Sequence, residues 1–232
     1  MKFNVIVADC PWDFKDTLSM SDVKRGALAN YNTMTIEEIK SIPVKSITSE
    51  DGALLALWVP SSMLQQGLDV MKAWGFNHKQ TYIWVKVKKD PFLSFNKWIK
   101  KSILKSPQVS YDEFSYKRAI TVIMDSLKSF DLFDCLNFGL GRLFRQTHEI
   151  CLIGTTNNKI YKLLKDKSQR SVSFAENLKH SAKPEDLQNS LDIMFPNTQK
   201  IEMFARRIRP NWVCIGNEVC NGEDINTSIS KL

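Results

Sequence analysis

The residues with the clearest chemical potential are Asp9-Cys10-Pro11-Trp12. A carboxylate at Asp9 accepts a hydrogen bond from an amine, and the Cys10 carbonyl can accept a second. Pro11 fixes its own φ and keeps the residue before it out of the helical region, so both acceptors point in set directions. Trp12 offers a flat face on which a base can stack. Two acceptors and a stacking platform are what an exocyclic aromatic amine requires. Held by both hydrogens, its nitrogen becomes more pyramidal, and the freed lone pair can attack an electrophilic carbon. Taken alone, the tetrapeptide reads more simply as a strand-ending turn with Trp in the core.

These four residues need a strand to present them. Phe3 to Ala8 is a continuous apolar, β-branched run, as in a strand buried on both faces. Residues 13–34 are polar and irregular and predict a mobile loop. Thr35-Ile36-Glu37-Glu38 is a capping-box pattern opening a short helix before Pro43. Ala53 to Val59 predicts a second strand. Ser61 is expected to cap a helix with Leu64, Leu68 and Met71 on one face and Gly75 beyond its end. Thr81 to Val87 predicts a third strand. Strand and helix thus alternate, which argues an α/β chain with a mostly parallel sheet. Ligands of such sheets bind beyond the carboxyl ends of the strands, where Asp9 to Trp12 fall.

Residues 88–140 break the rhythm and read as a largely helical insertion, with a helix over about 111–130. Seven lysines lie from Lys86 to Lys105 against the single acid Asp90, with Phe92, Phe95 and Trp98 among them. The α/β pattern resumes with a strand at Glu149 to Gly154, followed by a polar loop with one short element over 156–183. Pro184 opens a helix to about Phe195, and Lys200 to Ala205 and Trp212 to Gly216 are the last strands. The tail after Asn221 is polar and is expected to fray.

The chain has 232 residues, 43% of them hydrophobic and 25% charged, the balance of a folded domain. We read one domain over 1–232, with 88–140 as its insertion. No apolar run approaches the roughly 18 residues of a membrane span. A net charge of +7 favours a polyanionic partner. The five cysteines are odd in number and form no CxxC pair, which predicts reduced thiols and a cytoplasmic setting. The three histidines stand far apart, so no metal is expected.

The wider sequence resembles the MT-A-seventy family of S-adenosylmethionine-dependent adenine-N(6) methyltransferases. The stretch VIVADCPWDF resembles the family's DPPW after a buried strand. Tyr31-Asn32-Thr33-Met34, Leu57-Trp58-Val59, Trp74-Gly75-Phe76 and Ile83-Trp84-Val85-Lys86 are similar to the markers that follow. So are Arg145 to Glu149 with Cys151 to Gly154, His180 to Pro184, Lys200 to Arg206, Pro210-Asn211-Trp212 and Gly216-Asn217-Glu218. The likeness covers nearly all of the chain outside 88–140.

The resemblance implies a Rossmann-like methyltransferase fold and a methyl transfer from S-adenosylmethionine to adenine N6. It implies that Asp9, Cys10, Pro11 and Trp12 hold the target amine and its base, with Asp9 also at the cofactor. Tyr31 would lie on the loop over the target. His148 would face the cofactor's carboxylate, Lys183 its methionine end, Glu202 and Arg206 its ribose, and Asn217 and Glu218 its adenosine side. Plainer roles stand beside these: a strand-end His148, a solvated Lys183, a Glu202–Arg206 ion pair, a turn at Asn217. Lys97, Lys100 and Lys101 are the candidates for phosphate contacts, whereas the aromatics among them are expected mainly to pack a small core of their own. The expected partner is nucleic acid, DNA favoured over RNA because the chain is compact and without an RNA-binding module, in a microbial or phage-infected cell. The alternatives are RNA methylation and a non-catalytic paralogue supporting an active partner. Two features depart from the family: Cys10 stands where it has Pro, and Arg206 to Trp212 is short. Only eight residues precede Asp9, so an upstream contact to the cofactor adenine is expected to come from elsewhere or to be absent.

Overall fold

The computed structural model describes residues 1–13, 33–90, 95–101, 120–121, 123–125, 132–139, 143–177, 182–219 and 223–232. Tyr31, His180, Phe92 and most of the expected 111–130 helix lie outside them. The chain divides into two compact units. The first comprises Met1–Trp84, Glu149–Ser173 and Glu185–Leu232, and the second Val85–His148 and Phe174–Pro184.

The strands are β1 (Val5–Ala8), β2 (Leu54–Val59), β3 (Asn77–Val87), β4 (His148–Thr155), β5 (Val172–Glu176), β6 (Lys200–Met203) and β7 (Val213–Ile215). They form one seven-stranded sheet in the order β5-β3-β4-β2-β1-β6-β7. Every residue of β1 and β2 is buried, as their unbroken apolar sequences require of central strands. β1 runs parallel to β2 and to β6, and β6 parallel to β7, while β4 runs antiparallel to β2. The fold is therefore the expected α/β class, a mostly parallel sheet flanked by helices, consistent with a Rossmann-like methyltransferase. The position of β4 between β2 and β3 is not deducible from strand–helix alternation, because it depends on a partner nearly a hundred residues away.

Among the described residues the helices include α1 (Ile36–Ser41), α2 (Val44–Ile47), α3 (Leu64–Ala73), α4 (Ile160–Leu163), α5 (Asp186–Met194) and α6 (Ile225–Ser230), with further helical backbone at 95–101. The predicted capping box is present: the Thr35 hydroxyl accepts from the Glu38 N–H, and the Glu38 carboxylate accepts from the Thr35 N–H.

Several expectations are corrected. Ser61 does not cap α3; it lies in a short 3-10 turn, Ser61–Met63, and α3 starts after Met63 without a side-chain cap. Leu64 faces outward, and the buried positions of α3 are Gly67, Val70 and Met71. Gly67 is needed there, since a Cβ would sit 2.7 Å from the Val59 side chain. The segment 156–183 holds two elements, α4 and the edge strand β5. Burial along β5 alternates with Ser173 inward and Phe174 outward, opposite to what hydrophobicity suggests. The tail does not simply fray. Asp224 accepts from the N–H groups of Asn226 and Thr227 and caps α6, which buries Ile225 and Ile229.

Candidate active site

β1 lies between β2, its successor in the chain, and β6, so the direction of chain winding reverses between β1 and β6. A crevice opens at such a switch point, beyond the carboxyl ends of the strands. In register, Ala8 pairs with Met203, and Met203 with Ile215. The segments just past these residues are Asp9 to Trp12, Phe204 to Arg206, and Gly216 to Glu218. Seven of the predicted site residues fall in these segments, Asp9, Cys10, Pro11, Trp12, Arg206, Asn217 and Glu218, and Glu202 lies in β6 one residue before its end.

The backbone of the first segment is tightly specified. The Trp12 N–H donates to the Cys10 carbonyl at 2.9 Å, a narrow turn about Pro11. Met34 N–H donates to the Pro11 carbonyl at 2.8 Å, and Asp13 N–H to the Met34 carbonyl at 3.2 Å. The Cys10 carbonyl thus keeps one lone pair for a further donor. Asp9 is half-buried. The Cys10 thiol is buried, and burial first, then the neighbouring Asp9 charge, pushes it well above its ordinary range. It is a protonated packing group, and only its peptide oxygen is suited to the amine.

Trp12 is placed differently from the expectation. Its ring is 4% exposed and belongs to the hydrophobic core, and its indole N–H donates to the Trp58 carbonyl at 2.9 Å. A stacking platform needs an open face, which this ring lacks. The buried hydrogen bond makes Trp12 an anchor for the turn that carries Asp9 and Cys10.

Glu202 pairs in register with Val7 of β1 and Cys214 of β7. Strand alternation puts Val7 and Asp9 on the same sheet face as Glu202. The Glu202 carboxyl accepts from Gln188 Nε2 on α5 at 3.1 Å. Its pKa is raised, chiefly by burial; the Gln188 hydrogen bond and then Arg207 oppose this, Asp9 adds to it, and Arg209 opposes it. Arg206 pairs with Glu218 at 3.5 Å, tying the end of β6 to the end of β7, so the i, i+4 alternative of Glu202 with Arg206 is not the arrangement found. Phe204 between them has φ of 60°, a strained value for a bulky residue. Ala205 N–H donates to the Ile215 carbonyl, and a Cβ at Gly216 would come within 2.7 Å of the Ala205 nitrogen. The glycine of Gly216-Asn217-Glu218 is therefore required by backbone approach.

The connection from β6 to β7 is clamped to α5. Asp192 accepts from Arg209 at 2.8 Å and from the Trp212 indole at 3.0 Å, and lies 3.3 Å from the Lys200 ammonium. Glu185 pairs with Arg207 at 2.9 Å and Arg209 at 3.0 Å.

The second unit contains the remaining described candidates. His148 opens β4, and its carbonyl accepts from the Gln146 amide; Lys183 is half-buried. Lys97, Lys100 and Lys101 are exposed on helical backbone at 95–101, beside the half-buried, mutually stacked Phe95 and Trp98.

Gln188 was not anticipated. The available signal was a polar residue inside the apolar stripe of α5, between Leu187 and Leu191, all three buried. Glu202 and the Gln188 amide form a hydrogen-bonded pair whose carboxyl feels the nearby Asp9 charge.

The structure thus combines a mostly parallel sheet with acceptors past β1 and a carboxylate on β6. The MT-A70 family profile matches residues 3–108 and 98–218, and the chain belongs to that family. It is 26% identical over 220 residues to the N(6)-adenosine-methyltransferase MT-A70-like protein of Drosophila melanogaster, covering 94% of this chain and 27% of that protein. It is 24% identical over 220 residues to the human N(6)-adenosine-methyltransferase catalytic subunit METTL3, covering 94% of this chain and 28% of that one. Over 105 residues it is 29% identical to the type II methyltransferase M.MunI of a Mycoplasma species, 39% of this chain and 45% of that protein. The chain spans about a quarter of the length of the first two relatives.

Proposed function

We propose that the chain transfers a methyl group from S-adenosylmethionine to N6 of adenine in a polynucleotide. The observation carrying this is the placement of Asp9 and the Cys10 carbonyl at the β1/β6 switch point of an MT-A70 chain. The residues fit the donor: Glu202 is a half-buried acceptor suited to hydroxyls, and Gln188, 2% exposed, has a buried Oε1 without a partner. S-adenosylmethionine, when bound, supplies an electrophilic methyl group. Asp9 and the Cys10 oxygen accept the two hydrogens of the target amine and aim its lone pair. Asp9 or water takes the surplus proton. The buried Cys10 thiol is protonated and stays out of the reaction.

Arg206, Asn217 and Glu218 are assigned to the cofactor nucleoside. His148 and Lys183 are assigned, on family resemblance alone, to the amino-acid end, and Tyr31 to the target. DNA is the first substrate, supported by the M.MunI similarity. RNA is the second reading, favoured by longer relatives named adenosine methyltransferases.

Matched DNA and RNA oligomers, digested after reaction and quantified for methyladenine by mass spectrometry, test both. Asp9→Ala should lower the rate at least about 100-fold while S-adenosylmethionine binding stays measurable by calorimetry. Full activity in that variant overturns the assignment, and the preferred oligomer decides the substrate.

A further inference from the structure

We infer that Gln188 is a positioning residue, whose side-chain amide fixes the Glu202 carboxylate as the hydrogen-bond acceptor for a hydroxyl of the methyl donor's ribose. The inference deepens the proposed function and rests on it. Gln188 is buried on α5, and its Nε2 donates to Glu202 Oε1 at 3.1 Å. An ionised carboxylate only accepts, so the amide must present its N–H there and turn Oε1 elsewhere. That Oε1 is buried and has no partner. A buried unsatisfied carbonyl is costly, and an apolar residue would fill this position in the α5 stripe more cheaply. The amide brings what an apolar residue lacks, a donor that favours the charged form of Glu202.

The charged and titratable groups around Glu202 are Asp9 past β1, Arg207 and Arg209 in the β6–β7 connection, and Cys214, its register partner on β7. Gln188 is the contribution of α5. Burial raises the carboxyl's pKa, and the Gln188 hydrogen bond is the largest influence holding it down. A group acting only as packing would not affect this balance.

The test is calorimetric titration of the full chain with S-adenosylmethionine across pH. In the wild type, affinity falls as pH drops through the raised pKa of Glu202. Gln188→Met removes the donor, so the fall should begin at higher pH, with binding recovered on the alkaline side. Gln188→Glu, close in size, should move the midpoint up further by placing a second carboxyl against the first. Glu202→Gln should bind more weakly and lose this pH dependence, and adding Gln188→Met to it should produce no additional shift. Circular dichroism confirms that each variant is folded. Should Gln188→Met not fold, the Gln188→Glu profile decides. A folded Gln188 variant whose profile superimposes on that of the wild type overturns the inference while leaving the methyltransferase reading intact. Absence of wild-type binding at every pH overturns both.

Discussion

Glu202 places a carboxyl where burial works against its charge. Its raised pKa means the folded chain holds the carboxyl proton more tightly than the unfolded chain does. The stabilisation from that proton is complete below the unfolded pKa and is lost as pH rises through the folded one. At neutral pH the residue therefore weakens the fold. Glu202→Gln keeps an acceptor for Gln188 and stays uncharged, so its melting temperature should exceed the wild type's at pH 7 to 8, with the advantage vanishing in acid. Equal melting temperatures at neutral pH would show that the burial of this carboxyl has no such cost. Cys10 makes the complementary point. Its buried thiol is held protonated, so iodoacetamide at pH 8 should leave it unmodified in the native protein and label it on unfolding. Peptide mass mapping reads the difference, and rapid native labelling would contradict the burial.

At the scale of elements, the critical joint is between α5 and the β6–β7 connection, because that connection presents Arg206 and follows Glu202. Asp192 is its hub. Lys200 is only 4% exposed and pairs with Asp192, as do the Arg209 guanidinium and the Trp212 indole. Asp192→Ala leaves a buried ammonium without this partner, which should cost about 3–5 kcal/mol in chemical denaturation. A loss under about 1 kcal/mol would mean that water or another group replaces the carboxylate. This joint was not legible in the sequence: its members are spread from Glu185 to Trp212, and although Lys200 and Trp212 fall in recognised motifs, neither motif shows that Asp192 joins them. The buried strands and the Thr35 capping box were legible, because apolar runs and local hydrogen bonding determine them. β5 and α6 were not, because their apolar residues are few and the edge strand turns Phe174 outward. Trp12 shows the same limit at the site: the plain reading put it in the core, where it lies, but its anchor on the Trp58 carbonyl is revealed by no local pattern.

For the whole molecule, the excess of 32 basic over 25 acidic residues matters through where the charge is exposed. Lys97, Lys100 and Lys101 follow i, i+3 and i+4 spacing on helical backbone in the second unit, and all three are exposed. Such a row suits phosphates and carries no sequence information. Phe95 and Trp98 are stacked on one another, with ring centroids 6.3 Å apart and planes 15° apart. Each covers a face of the other, and both are half-buried, which favours their packing role over base stacking. Binding through this helix should therefore be mainly electrostatic. Each phosphate contact with duplex DNA contributes about −0.9 to the slope of log affinity against log salt. Replacing the three lysines with Glu should weaken binding of a duplex and make that slope shallower by roughly 2.7 if all three engage phosphates. Fluorescence anisotropy over a salt series measures it, with circular dichroism as the folding control. Lower affinity with an unchanged slope would place the phosphate contacts elsewhere on the chain, while no change in either would remove this helix from the nucleic-acid surface.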